Sequence, residues 1–264
     1  MKALAVLVVV VSTIAGCAGA AAAPSPSAAT SVTVFGAASL KAVLNDVKTA
    51  YEASHTGTTL AISTDSSATL EMQIEQGAPA DVFVSADTTN PKKLVDKGLA
   101  SGAAVDFAGN SLTVIVPGSN PADIRTPADL AEEGVQIIAA GDGVPITKYA
   151  SQLVANLAKQ PDYPDDFATR YATNVASKED NVAAVVAKIE LGEGDAAIVY
   201  LTDAKQSTKV TTIAVPDEAN VPATYAGVVV KASKSTDAAT TFLSWLAGPE
   251  GQAILAKFGF LPPT

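Results

Sequence analysis

The chain has 264 residues, 48% of them hydrophobic and 17% charged, enough for one or two packed domains and too apolar for a disordered chain. Seventeen basic side chains against 27 acidic ones give a formal charge of −10, which argues against nucleic acid and against charge-driven binding to anionic lipid. One cysteine and one histidine exclude an internal disulfide and argue against a metal centre built from such ligands.

At the N-terminus, Lys2 precedes an apolar run over residues 3–11 and then small residues up to Ile14-Ala15-Gly16-Cys17. The run is too short to span a bilayer with ease and has the layout of an export signal, residues 1–16. Its last four residues resemble the bacterial lipoprotein box, which implies cleavage before Cys17 and a lipid anchor on that cysteine. Losing residues 1–16 removes one lysine, so 16 basic side chains face 27 acidic ones and the balance becomes −11. Residues 17–30, rich in Ala, Pro and Ser, read as the lipidated end and a tether without helical or strand periodicity, with a stretched reach of roughly 40 Å. An anionic ligand would have to be held by local donors against this acidic field.

From residue 31 onward strand and helix patterns alternate, which predicts an α/β protein with largely parallel sheets. Strands are predicted over 31–36, 58–63, 81–85, 111–116, 135–139, 196–200, 210–215 and 224–230. The first runs through Gly36 into Ser39. Behind it Leu40, Val43, Leu44, Val47, Ala50 and Tyr51 recur at helical spacing, which puts Ser39 at a helix start. Helix starts present unpaired N–H groups and the positive end of a dipole, a seat for anions.

Three more junctions share this form. Asp65-Ser66-Ser67 leads into a helix stopped near Gly77, Gly143-Val144-Pro145-Ile146 precedes a helix with proline in its first turn, and Asn181 caps a helix that starts at Val182 and ends by Gly192. The last helix feeds a strand closed by Tyr200. In open α/β sheets ligands gather at the carboxyl ends of strands, where such junctions lie. Glu71, Glu75 and the acids around Asp165 read as solvated surface, and Phe242 and Trp245 as core.

Together these segments resemble the bacterial molybdate-binding proteins, the solute-receiving subunits of molybdate ABC importers. The likeness covers residues 32–262. Its most specific stretch is Gln73-Ile74-Glu75-Gln76-Gly77-Ala78-Pro79-Ala80-Asp81-Val82-Phe83-Val84-Ser85-Ala86-Asp87. The resemblance implies a two-lobed periplasmic-binding-protein-like fold of type II, with the ligand in the cleft between lobes of residues 31–112 plus 218–264 and residues 113–217. It also implies a monomer that hands its ion to a membrane permease and needs no cofactor. It assigns hydroxyl and N–H donors to Ser39 and Ser67, backbone N–H donors to Ile146 and Val182, and a phenol donor to Tyr200. Two departures stand out. The loop before Ile146 lacks a pair of residues the family usually has, leaving the placement of that N–H open, and Asp65 stands where the family more often has a neutral residue. Asp65 is expected to be a solvated turn residue.

Such a donor set suits molybdate and tungstate, proton-free dianions at neutral pH whose oxygens only accept hydrogen bonds. Phosphate still carries a proton there and would set it against a donor, whereas sulfate must be rejected by size. A serine hydrolase fails on parts: His55 is the single histidine and no serine lies in a Gly-x-Ser-x-Gly elbow. The nearer alternative is a binding protein of the same fold for sulfate or phosphate.

Overall fold

The computed structural model describes residues 29–263. The export signal over 1–16, Cys17 and nearly all of the tether lie outside the described residues.

The elements in chain order are β1 (Thr30–Ala37), α1 (Lys41–Ser54), β2 (Thr58–Asp65), α2 (Ser67–Glu75), β3 (Val82–Ser85), α3 (Thr89–Asp96), β4 (Val105–Asn110) and β5 (Leu112–Pro117). They continue with β6 (Ile137–Ala140), α4 (Pro145–Leu157), α5 (Phe167–Thr173), β7 (Val175–Glu179), α6 (Val182–Leu191), β8 (Ala197–Tyr200) and α7 (Leu201–Gln206). The chain then forms β9 (Val210–Ile213), β10 (Ala223–Val229), α8 (Thr236–Ala247) and α9 (Pro249–Lys257).

One sheet has the order β2-β1-β3-β10-β4. Its strands alternate between two buried faces: Val82 and Val84 join the large core, while Phe83 points into a second cluster with Phe35, Leu70, Ile74 and Leu94. A sheet covered on both faces needs apolar residues at nearly every position, and β3 is buried throughout. The other strands form β8-β5-β9 and β6-β7, joined by a parallel bridge between Ile137 and Ala196 that sets β6 beside β8.

The chain passes between the two sheets at Ser111, between β4 and β5, and returns between β9 and β10. Asn220 ties the two crossings together. Its Oδ1 accepts from the Leu112 N–H at 3.0 Å and its Nδ2 donates to the Leu112 carbonyl at 2.9 Å, imitating a strand pair.

All eight predicted strands are present with shifted ends, and β4 and β7 were not predicted. β7 reads Val-Ala-Ser-Lys-Glu, a half-exposed strand without an apolar run, and β4 contains Asp, Gly and Asn, which weaken a strand pattern. The sheets are mixed where largely parallel ones were expected. β1 pairs parallel with β2 and β3, and β6 with β7, but β10 runs antiparallel to β3 and β4, and β5 to β8 and β9. The reason is the double crossing: β10 re-enters the first sheet from the second, against the direction of the strands built there earlier.

Glu71 is another correction. It is 4% exposed on α2, with Lys93 Nζ 3.5 Å from its carboxylate. Burial, and then its neighbour Glu75, push its pKa up. Phe242 is buried as expected, and Trp245 packs partly buried against the same core.

Candidate functional site: an uncharged cleft of helix starts

On the first sheet, β1 ends at Ala37 and the chain makes a 3-10 turn, Ala38–Leu40, before α1. Gly36 lets α1 approach closely, since a Cβ there would lie 2.5 Å from Leu44 Cδ1. The turn leaves Ser39 8% exposed, its Oγ 3.0 Å from Tyr225 Oη.

β2 ends at Asp65 and α2 begins at Ser67. Ser66 is the N-cap, its Oγ accepting from the Thr69 N–H at 3.2 Å. This frees Ser67 for another role: it is 1% exposed, and its Oγ accepts from the Ala86 N–H at 3.0 Å. Ala86 is held by its neighbours, because Asp87 accepts from Ser85 Oγ at 2.8 Å and from Asn90 Nδ2 at 3.1 Å.

On the second sheet, β6 ends at Ala140 and the short loop closes with a Val144 N–H to Gly141 carbonyl bond of 2.9 Å. Thr147 Oγ1 braces it by donating to the Ala140 and Gly141 carbonyls at 3.0 and 2.8 Å. Pro145 and Ile146 are the first two residues of α4, so the Ile146 N–H has no acceptor within the helix. The loop packs against the first sheet's side of the cleft: a Cβ on Gly143 would lie 3.8 Å from Ala68 Cβ.

Asn181 caps α6 by accepting from the Ala184 N–H at 3.0 Å, and Gly192 ends that helix with φ +72°. Val182 is its first residue, again with an N–H that no intrahelical carbonyl can reach. Tyr200 closes β8 at 1% exposure and donates from Oη to the Ala86 carbonyl at 3.3 Å. Burial holds the pKa of Tyr200 and of Tyr225 well above the usual phenol value, so both remain protonated donors.

Ser39, Ser67, Ile146, Val182 and Tyr200 all line one small cavity, with a volume of about 10 Å³. That is far below the usual range for organic ligand sites, about 300–1,000 Å³. None of the lining residues is charged. A larger space of about 330 Å³ lies beneath α4 and α5; it shares Ile146 with the cleft but is lined mainly by Ala, Val and Ile and has no such ring of helix starts.

Asp65 is not the simply solvated turn residue expected. It is half-buried because β2 runs on to it, and its Oδ1 accepts from the Ser66 N–H at 2.7 Å and from Asn181 Nδ2 at 3.3 Å across the cleft. Sequence reasoning also missed the roles of Ala86, Asn181 as a bridge, and Tyr225. Ala86 lies in the specific stretch ending at Asp87, a signal for position but not for role. Tyr225 gives no local sign of its bond to Ser39, 186 residues away.

Two sheets joined by two crossings, with the cavity at their facing strand ends, define the class of solute-binding proteins. Residues 32–261 match the model of the bacterial extracellular solute-binding protein family, and the chain belongs to it. The molybdate-binding protein ModA of Mycobacterium tuberculosis is 30% identical to it over 258 residues, 96% of this chain and 94% of that protein. Among solved structures, the periplasmic molybdate-binding protein of Azotobacter vinelandii superposes with a TM-score of 0.75 at 24% identity, over 88% of this chain and 100% of that one. The sulfate-binding protein SubI of Mycobacterium tuberculosis gives 0.78 at 22% identity, over 88% and 87%. These two likenesses concern the fold. Among the described residues no helix is long and apolar enough to cross a membrane.

Proposed function

We propose that this solute-binding protein captures molybdate, and tungstate with it, outside the cytoplasm and delivers the ion to the permease of an ABC importer. The observation that carries the reading is the uncharged cavity on which two serine hydroxyls, two helix-start N–H groups and a buried phenol converge. The ModA relative supports the choice of ion, since its similarity runs along nearly the whole chain.

Residues 31–112 plus 218–264 form one lobe and residues 113–217 the other in this reading, supported by the crossings at Ser111 and after β9. Ser39 and Ser67 come from the first lobe, and Ile146, Val182 and Tyr200 from the second. A dianion bridging them binds the closed form more tightly than the open one, which is what shifts the population. Hydrogen bonds to a charged group contribute roughly 1.5–3 kcal/mol each, so a handful reach the ~12 kcal/mol of nanomolar binding after closure costs. Tyr200 gives its proton to the Ala86 carbonyl here; an oxyanion is the stronger acceptor and takes it. The protein acts as a monomer, performs no catalysis and uses no cofactor. Cleavage before Cys17 and lipid on that residue anchor it to the cell membrane.

Calorimetric titration of the domain from residue 31 onward at pH 7 tests this reading. Tight one-to-one binding of molybdate and tungstate, with sulfate and phosphate silent, is expected. Ser67→Ala and Tyr200→Phe should then each weaken molybdate about tenfold or more. Tight binding of sulfate or phosphate in place of molybdate would transfer the cleft to that ion.

A further inference from the structure

Tyr225 stands behind the cleft and is not among the residues that line it. It lies on β10 with no solvent exposure, and its Oη is 3.0 Å from Ser39 Oγ. Asn110, at the end of β4 and also buried, donates from Nδ2 to Tyr225 Oη at 3.2 Å and to Thr202 Oγ1 at 2.8 Å. Asn110 is held in turn by its Oδ1, which accepts from the Ser111 N–H at 3.0 Å.

Either oxygen of the Ser39–Tyr225 pair could donate, and one assignment gives each proton in the row an acceptor. An amide nitrogen only donates, so the Tyr225 oxygen accepts from Asn110 and its own proton needs an acceptor. Among the described residues, Ser39 Oγ is the hydrogen-bond partner placed to take it. Ser39 therefore receives a proton from behind, and its own hydroxyl proton turns away from Tyr225 towards the cavity. Ser67 is arranged the same way, with the Ala86 N–H donating to its Oγ. Both serines thus present protons to the cleft while their oxygens are engaged at the rear. Each donor in the row from Asn110 through Tyr225 to Ser39 also polarises the next.

We infer that Tyr225, oriented by Asn110, is a selectivity-determining positioning residue: it fixes Ser39 as a donor, so that the cleft favours proton-free oxyanions over protonated ones. The inference rests on the oxyanion reading of the cleft. A serine released from Tyr225 rotates freely and can accept the proton of monohydrogen phosphate, relieving the clash of donor against donor that excludes it.

The test is calorimetry with molybdate and with inorganic phosphate at pH 8, on the wild type and Tyr225→Phe, which keeps the ring that packs on Phe107, Tyr200 and Phe260. Expected is a fall of at least tenfold in the ratio of molybdate to phosphate affinity. In a Ser39→Ala background the same substitution should leave that ratio unchanged, a result that general loosening of the core would not give. Asn110→Ala, which frees Tyr225 to accept the Ser39 proton, should lower the ratio in the same direction and serves if Tyr225→Phe does not fold. An unchanged ratio in a variant that still binds molybdate overturns the inference alone. Silence of the wild type towards molybdate, tungstate, sulfate and phosphate overturns the receptor reading and the inference with it.

Discussion

Asp65 is a carboxylate placed at the rim of a cleft read as a dianion site. Its Oδ1 is engaged with the Ser66 N–H and with Asn181, the cap of the opposing helix. The carboxylate therefore helps to set α2 against α6, and its repulsion of a bound dianion is blunted because the charge is committed to these donors. Asp65→Asn keeps an oxygen for both contacts and removes the charge. Molybdate affinity measured by calorimetry should stay within a few-fold, while Asp65→Ala, which loses both contacts, should bind more weakly. A gain of more than about tenfold in the asparagine variant would mean that the charge faces the ion.

At the scale of elements, α7 carries an unusual acid. Asp203 is half-buried as a residue, but its Oδ2 is sealed from solvent without a hydrogen-bond partner. Burial pushes its pKa up from 3.8 to about 7, with a backbone hydrogen bond from Tyr200 offsetting part of the shift. The folded protein therefore holds a proton on Asp203 that the unfolded chain releases at lower pH. Its contribution to stability is complete below about pH 4 and is lost as pH rises towards 7. Asp203→Asn should remove this loss, gaining on the order of 1–3 kcal/mol over the wild type at pH 8 relative to pH 4. Urea unfolding of both proteins across that range checks the sign; an equal pH slope in the two would show that the carboxyl is not what titrates.

For the whole molecule, the cleft must draw a dianion towards a protein with 27 acidic and 17 basic side chains. The surface field opposes encounter, and the donors of the cleft act only at contact. Salt should therefore accelerate molybdate association, the reverse of the behaviour of a positively charged receptor. Raising ionic strength from about 0.01 to 0.15 M shortens the screening length from about 30 to 8 Å and should increase the association rate several-fold by stopped flow. A rate that falls with salt would place a local positive potential at the entrance.

Much of this protein is written locally along the chain. Asn181 as a cap, Pro145 in a first turn, Gly192 at a helix end and the apolar spacing behind Ser39 are short-range features, so the helix starts that meet at the cleft could be read from the sequence. The same pattern marked eight of the strands, and it failed for β4, broken by Asp, Gly and Asn, and for β7, whose edge position spares it an apolar run. What the tertiary structure alone decided is which groups face one another. Ser66 rather than Ser67 caps α2, Glu71 turns inward against Lys93, Asp65 meets Asn181, and Tyr225 stands behind Ser39. The last two pairs lie 116 and 186 residues apart. Caps and periodicity depend on neighbours within a helical turn, whereas these pairings depend on where the chain crosses between the sheets and in which direction it returns.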